Sequence, residues 1–121
     1  MRSRTIRAVA VVKDLFFVAR IRETARLAGA AVAFARTPDE LGAELGESPD
    51  LVILDLTTPG WDYDGFFAKL AWRAPRPPVL GFTTHALARQ TQPLHSRCAR
   101  VVTRETLTRE LGTILKEGIA A

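Results

Sequence analysis

Short apolar segments alternate with longer segments of helical periodicity along the whole chain. Five segments are nearly continuous in apolar character, which is typical of strands that helices cover on both faces. We predict strands over residues 6–12, 31–35, 51–56 and 79–82, and a fifth centred on residues 101 and 102. The pattern therefore favours a parallel sheet over antiparallel strands with one exposed face.

The segments between and after these strands predict five helices. Their predicted extents are 15–27, 38–46, 66–72, 86–94 and a last helix that Thr106 caps and Gly118 ends. Thr37 and Glu40 have the spacing of a capping box at the start of the second helix. In the last helix one apolar stripe contains Leu107, Leu111, Ile114 and Leu115.

Five strand–helix units in succession predict a single α/β domain over residues 1–121, with a doubly wound, five-stranded parallel sheet between two helical layers. In such open sheets, ligands bind at the carboxyl ends of the strands. The candidate functional residues are therefore the polar ones that directly follow strands. These are Lys13, Asp14, Asp55, Thr57, Thr83, Thr84, Thr103 and Arg104.

Composition and charge narrow the class of protein. Charged residues make up 25% and hydrophobic residues 47% of the chain, as in ordinary globular domains. No apolar segment approaches the roughly 20 residues of a membrane helix. The apolar run after the basic start ends at Lys13, too early for the apolar region of a secretory leader, so we expect a soluble cytoplasmic protein. The net charge is +4, which is compatible with a nucleic-acid partner. The arginines are scattered along the chain and do not form one basic patch in the sequence, so nucleic-acid binding is an alternative and not the main prediction.

Other chemistry-bearing residues do not form a recognisable motif. There is no glycine-rich phosphate loop, nucleophile elbow or dinucleotide fingerprint, so we expect no independent enzyme activity. The single Cys98 excludes an internal disulfide and a structural zinc site, and fits a small core residue better than a nucleophile. His85 and His95 are too isolated for a metal pair. Trp61 and Tyr63 lie in an acidic loop and are either a docking element or packed onto the next helix.

Three motifs together carry a resemblance to a known family. Asp55 ends the apolar strand in "LVILDLTTPG", with Pro59 four residues behind it; Thr83 ends the strand in "PVLGFTTH"; Asp14 follows the first strand in "VVKD". In these features the chain resembles the response-regulator receiver domains, whose fold is flavodoxin-like. The resemblance implies that Asp55 accepts a phosphoryl group and that Thr83 is the switch hydroxyl. It also implies that Asp14, Asp55 and the backbone carbonyl of Thr57 bind Mg²⁺.

The sequence also departs from the pattern of that family. Lys13 replaces one of two acidic residues, so we expect magnesium to bind weakly and Lys13 to pair with Asp55 or Asp14. In this position Lys13 would supply part of the positive charge that phosphoryl transfer needs. Arg104 takes the place of the family's lysine or, in a register one residue earlier, Thr103 does. Arg104 would be a bulkier, bidentate phosphate ligand.

These features lead to one functional prediction with two alternatives. We predict a receiver-like signalling module of a phosphorelay or two-component pathway, a monomer or homodimer. It would present its fourth predicted helix and fifth strand to a protein partner, either a histidine kinase or a downstream effector. The first alternative is a pseudo-receiver that binds its partner without phosphorylation. The second is a basic domain on the same fold that binds nucleic acid or a small ligand.

Overall fold

The fold is a five-stranded parallel sheet with helices on both faces. The computed structural model describes residues 6–37, 40, 49–73 and 76–119. The strands are β1 (Arg7–Val11), β2 (Ala31–Ala35), β3 (Leu51–Asp55), β4 (Val79–Thr83) and β5 (Arg100–Thr103). Their order in the sheet is β2-β1-β3-β4-β5, and every pair is parallel. This order is that of flavodoxin-like sheets and confirms the predicted fold class.

Four helices are described. They are α1 (Leu15–Ala28), α2 (Tyr63–Ala71), α3 (Ala88–His95) and α4 (Arg104–Glu117), which correspond to the first, third, fourth and fifth predicted helices. The predicted second helix lies, except for Glu40, outside the described residues. The Glu40 carboxylate accepts the backbone N–H of Arg36 at 2.8 Å. No helix in the described part of the chain is long and apolar enough to cross a membrane.

Two apolar cores form because the strands are buried on both faces. One core packs α1 and α4 against the sheet and includes Phe17, Ile21 and Leu111. The other packs α2 against the opposite face and includes Phe66 and Leu70. Because helices cover both faces of β1, β3 and β4, side chains on either face of these strands are buried, and nearly every position in them is apolar.

Local capping determines where the helices begin, and it corrects two predicted helix starts. Helix α4 begins at Arg104, not after Thr106, because the Thr103 hydroxyl is the N-cap and accepts the backbone N–H of Thr106 at 3.1 Å. Helix α2 begins at Tyr63, three residues earlier than predicted, because the Asp62 carboxylate accepts a backbone N–H at its first turn. In both cases a side chain satisfies a donor that the helix itself leaves unpaired.

The strand register brings the candidate residues to one edge of the sheet. In β3 and β4, Asp55 is paired with Phe82, and in β4 and β5, Thr83 is paired with Thr103. The carboxyl ends of these strands, and the loop after β1, therefore lie at the same edge. The predicted convergence of polar residues rests on this register.

Candidate functional site

Asp55 is the last residue of the central strand β3, and its side chain is nearly covered, with a relative exposure of 6%. Its carboxylate Oδ1 accepts the backbone N–H of Thr57 at 2.8 Å and the Thr57 hydroxyl at 2.6 Å. Its Oδ2 accepts the Thr58 hydroxyl at 3.3 Å. Three donors from Thr57 and Thr58 therefore stabilise the negative charge of Asp55.

Tyr63 fixes the loop that carries these donors. Its hydroxyl donates to the backbone carbonyl of Asp55 at 2.7 Å and accepts the backbone N–H of Thr58 at 3.2 Å. Burial raises the pKa of Tyr63 to about 12, so the phenol stays protonated. Trp61 packs edge-on against Tyr63 at 6.1 Å, and both rings border the α2 core. Of the two interpretations offered by the sequence, packing is therefore the one that the contacts support.

Asp14 uses both of its carboxylate oxygens within the domain. Oδ1 accepts the backbone N–H groups of Phe16 and Phe17 as the N-cap of α1. Oδ2 accepts Nη2 of Arg104 at 2.5 Å, and the Arg104 guanidinium lies 4.4 Å above the Phe17 ring. The hydrogen bond from Arg104 lowers the pKa of Asp14, with help from the two backbone donors and against the effect of burial.

The structure does not give Lys13 the role expected from the sequence. Lys13 is exposed, and it forms an ion pair with neither Asp14 nor Asp55. Arg104 is paired with Asp14 instead, because α1 and α4 lie side by side and their first turns meet at this edge. Thr103, the other candidate for the lysine position, uses its hydroxyl to cap α4. Arg104 is therefore the cation that this register brings to the edge, and it contacts Asp14 rather than Asp55.

Thr83 is buried at the end of β4, with a relative exposure of 3%. Its hydroxyl oxygen lies 3.0 Å from that of Thr91 in α3, and Thr91 Oγ1 is in turn 2.8 Å from Nε2 of His95. The neighbouring Thr84 hydroxyl accepts the backbone N–H of Leu87 before α3. Thr91 was not among the residues predicted from the sequence. The only available signal was a threonine one helical turn before a histidine.

The donor set fits magnesium poorly. In the ranges that the structure describes, no three or more His, Cys, Asp or Glu side chains are grouped so as to hold a metal ion. Magnesium is usually held by one or two carboxylates together with water and phosphate oxygens. Here Asp14 is occupied by Arg104 and by the helix N-terminus, and Lys13 brings positive charge to the same loop.

An open groove of about 1160 Å³ lies between α1 and α4 beside this edge. Its lining includes Phe16, Arg20, Thr84, Arg104 and Arg109. Phe16 is 91% exposed and projects from the first turn of α1. Phe16 therefore places an exposed apolar ring beside a groove whose charged lining includes Arg20, Arg104 and Arg109.

Comparison with known proteins defines the fold. No family model matches the sequence, and no curated protein sequence matches it. A response regulator receiver protein from Burkholderia phymatum is similar in structure, with 26% identity over 96% of this chain and 98% of that chain and a TM-score of 0.71. The chemotaxis response regulator CheY4 of Vibrio cholerae has 18% identity over 92% of this chain and 99% of that chain, with a TM-score of 0.74. A response regulator receiver domain protein from Clostridium thermocellum has 15% identity over 94% of each chain, also with a TM-score of 0.74. The chain therefore has the fold of the response-regulator receiver domains.

Proposed function

We propose that the chain is a receiver-like signalling module that acts through protein–protein contacts and that Asp55 is its phosphoacceptor. The position of Asp55 is the observation that carries the proposal. Its carboxylate ends the central strand at the carboxyl edge of the sheet, and among the described residues its hydrogen-bond donors come from Thr57 and Thr58. Among the described residues no cation is bound to it, so one oxygen becomes available when a threonine hydroxyl rotates.

The proposed reaction needs few groups. A carboxylate oxygen of Asp55 attacks the phosphorus of a phosphodonor, and the leaving group departs with the electron pair of the bond that breaks. Positioning and charge stabilisation supply most of the rate in such transfers. The N–H of Thr57 and the hydroxyls of Thr57 and Thr58 already point at this carboxylate and are suitable donors to phosphoryl oxygens. Lys13 is exposed and directly precedes Asp14 in the loop after β1, and in this proposal its ammonium supplies positive charge to the phosphoryl group.

Magnesium has a reduced part in this proposal. Asp14, Asp55 and the backbone carbonyl of Thr57 would be its ligands, and it would supply charge neutralisation to the phosphoryl group. Binding would require Asp14 to exchange its contact with Arg104 for the metal. We therefore expect weak magnesium binding and slow labelling of Asp55.

A second candidate function is a pseudo-receiver that binds a protein without phosphorylation. The contact between Arg104 and Asp14 favours this function, because it neutralises the remaining acid of the expected metal site from within the domain. The exposed Phe16 and the groove beside it support protein contact in either case. The face of α3 and β5 remains a second predicted contact surface.

Treatment with acetyl phosphate distinguishes the two functions. We expect the intact mass of the wild-type protein to increase by one phosphoryl group, and the Asp55→Asn variant to show no increase. The rate of labelling is measured with and without magnesium in this protein and in an ordinary receiver domain treated in parallel. We expect magnesium to raise the rate much less in this protein than in the reference domain. If the wild-type protein stays unlabelled while the reference domain is fully labelled, Asp55 is not a phosphoacceptor and the pseudo-receiver function stands.

A further inference from the structure

The acidic residues are distributed unevenly along the chain, although the arginines are scattered. No Asp or Glu occurs between Asp64 and Glu105, and the same interval contains seven of the seventeen basic residues. These seven are Lys69, Arg73, Arg76, Arg89, Arg97, Arg100 and Arg104. The rest of the chain has ten basic and thirteen acidic residues, so the net positive charge of the protein comes from this interval.

The fold gathers most of this charge on one face of the domain. Helices α2 and α3 lie on the same face of the sheet, because Leu94 of α3 packs against the core that contains Phe66 of α2. Arg100 and Arg104 are paired with acidic side chains of other elements. The other five basic residues belong to α2, to α3 or to the segments that directly follow these two helices.

Three arginines meet where α2 and α3 end. Nη2 of Arg76 donates to the backbone carbonyl of Arg97 at 3.3 Å, and Arg73 lies three positions before Arg76. The Arg97 guanidinium lies 4.6 Å from the ring centre of Phe67 in α2 and is paired with Asp64 at 2.5 Å. Within the described ranges Arg73 and Arg76 form no ion pair, so their charge is not neutralised inside the domain.

Trp72 stands beside these arginines with its ring in water. It is the C-cap of α2, and its side chain is 89% exposed. Aromatic side chains usually bury about 150–250 Å² each, and the other tryptophan, Trp61, packs against Tyr63. We call Trp72, Arg73, Arg76 and Arg97 the basic corner. It combines a flat apolar ring with a concentration of positive charge.

The composition of the basic corner indicates the chemistry of its partner. Interfaces between proteins have an apolar centre in which charged residues are depleted, whereas surfaces that bind nucleic acid are much more positively charged. Trp72 is the only large apolar side chain that is exposed in the described parts of α2 and α3. Single-stranded nucleic acid suits such a surface, because its bases stack on aromatic rings while its phosphates follow the cations.

We propose that the basic corner binds single-stranded nucleic acid, with a base stacked on Trp72 and phosphates contacted by Arg73 and Arg76. The Arg97 carbonyl holds the Arg76 side chain in place for this contact. Arg76 and Arg97 precede β4 and β5, so the corner lies at the amino edge of the sheet, opposite to the edge that carries Asp55. Binding there is therefore independent of the proposed function.

The groove between α1 and α4 is less suited to the same ligand. It also joins an exposed ring, Phe16, to arginines. However, its lining includes the carboxylates of Glu23 and Glu105, and Arg104 is already paired with Asp14. Its excess of positive charge is therefore smaller than that of the basic corner.

Fluorescence anisotropy of a labelled oligothymidylate of about 15 nucleotides tests the proposal. We expect binding at low ionic strength, and a plot of log association constant against log salt concentration with a slope of about −1.4, since each phosphate contact contributes about −0.7. Arg73→Gln and Arg76→Gln should each make the slope shallower by about 0.7. Trp72→Ala should weaken binding by about tenfold with the slope unchanged, and Trp72→Phe should restore most of the loss.

The tryptophan itself provides a second measurement. In Trp61→Phe the indole of Trp72 is the only one left, and we expect saturating oligothymidylate to quench its fluorescence by stacking. Polyglutamate of matched charge has no bases and should leave this fluorescence unchanged. The quenching measurement does not need Trp72→Ala, so the proposal can be tested even if that variant does not fold.

Control variants locate the bound strand. Arg20→Gln removes the same charge from α1 on the opposite face and should weaken binding by less than about twofold. Asp55→Asn should bind as the wild type does, whether or not Asp55 accepts a phosphoryl group. Absence of binding at low ionic strength would overturn the proposal. So would a loss in Arg20→Gln or Phe16→Ala as large as that in Arg73→Gln, which would place the strand in the groove, or equally tight binding of polyglutamate that quenches Trp72, which would indicate an acidic protein partner.

Discussion

Replacing Tyr63 with phenylalanine should loosen the loop that holds Asp55. The substitution keeps the ring and removes one hydroxyl, which donates to the Asp55 carbonyl and accepts from the Thr58 N–H. A net contribution of about 0.5–1.5 kcal/mol per hydrogen bond predicts a loss of about 1–3 kcal/mol in the free energy of unfolding. For a domain of this size the melting temperature should fall by about 5–10 °C.

The same substitution should change how stability responds to alkaline pH. Because the pKa of Tyr63 is raised from 10.0 to about 12 in the folded protein, its contribution to stability is complete below pH 10 and is lost as the pH rises towards 12. Tyr63→Phe removes this titration. The stability difference between the wild type and the variant should therefore shrink over that interval.

Urea unfolding followed by circular dichroism measures both effects, at neutral pH and at intervals above pH 10. Thr24→Val is a suitable control, because its hydroxyl bond is exposed and its loss should cost less than about 0.5 kcal/mol. An unchanged urea midpoint for Tyr63→Phe at neutral pH would show that the hydroxyl does not hold the loop. A stability difference that stays constant up to pH 12 would refute the assignment of the raised pKa.

Two further substitutions test other contacts. Arg104→Met removes the ion pair with Asp14, and because both side chains are more than a third exposed we expect a loss of only about 1 kcal/mol at neutral pH. The pKa of Asp14 is lowered below its ordinary 3.8, so this loss should fade as the pH falls below that value; equal losses at neutral and acid pH would contradict the pairing. Gly81→Ala would place a Cβ 2.9 Å from Leu56 Cδ1 and 3.0 Å from Cys98 Sγ, at a cost of about 1–3 kcal/mol. Thermal melts should show part of that loss restored by Cys98→Ala, and a variant as stable as the wild type would show that the Leu56 and Cys98 side chains shift aside without cost.

The fold could be predicted because its main elements are determined by local patterns. Strands β1, β3 and β4 are buried on both faces, so their apolar runs stand out against the charged helices. The helix starts were harder to predict. Thr103 and Thr106 are both suitable N-caps, and only the strand before them shows that Thr103 is the one at the end of β5.

The location of the candidate site could be predicted from the sequence, but the contacts between its side chains could not. Asp55 and Thr83 lie at the carboxyl ends of their strands, and that alone brings them to one edge. The partner of Asp14 is 90 positions away in the sequence, and the pairing depends on how α1 and α4 pack. The role of Tyr63 likewise depends on the path of a loop, for which the sequence carries no periodic signal.

The packing of α1 against α4 has a consequence for how the protein is made. Phe17 and Ile21 are covered in the finished domain partly by the last helix, which is synthesised about eighty positions later. Until residues 104–117 have left the ribosome, the part of this face of the sheet that α1 does not cover stays open to water. Products of incomplete translation should therefore be recognised by chaperones and proteases, whatever signal the completed domain carries.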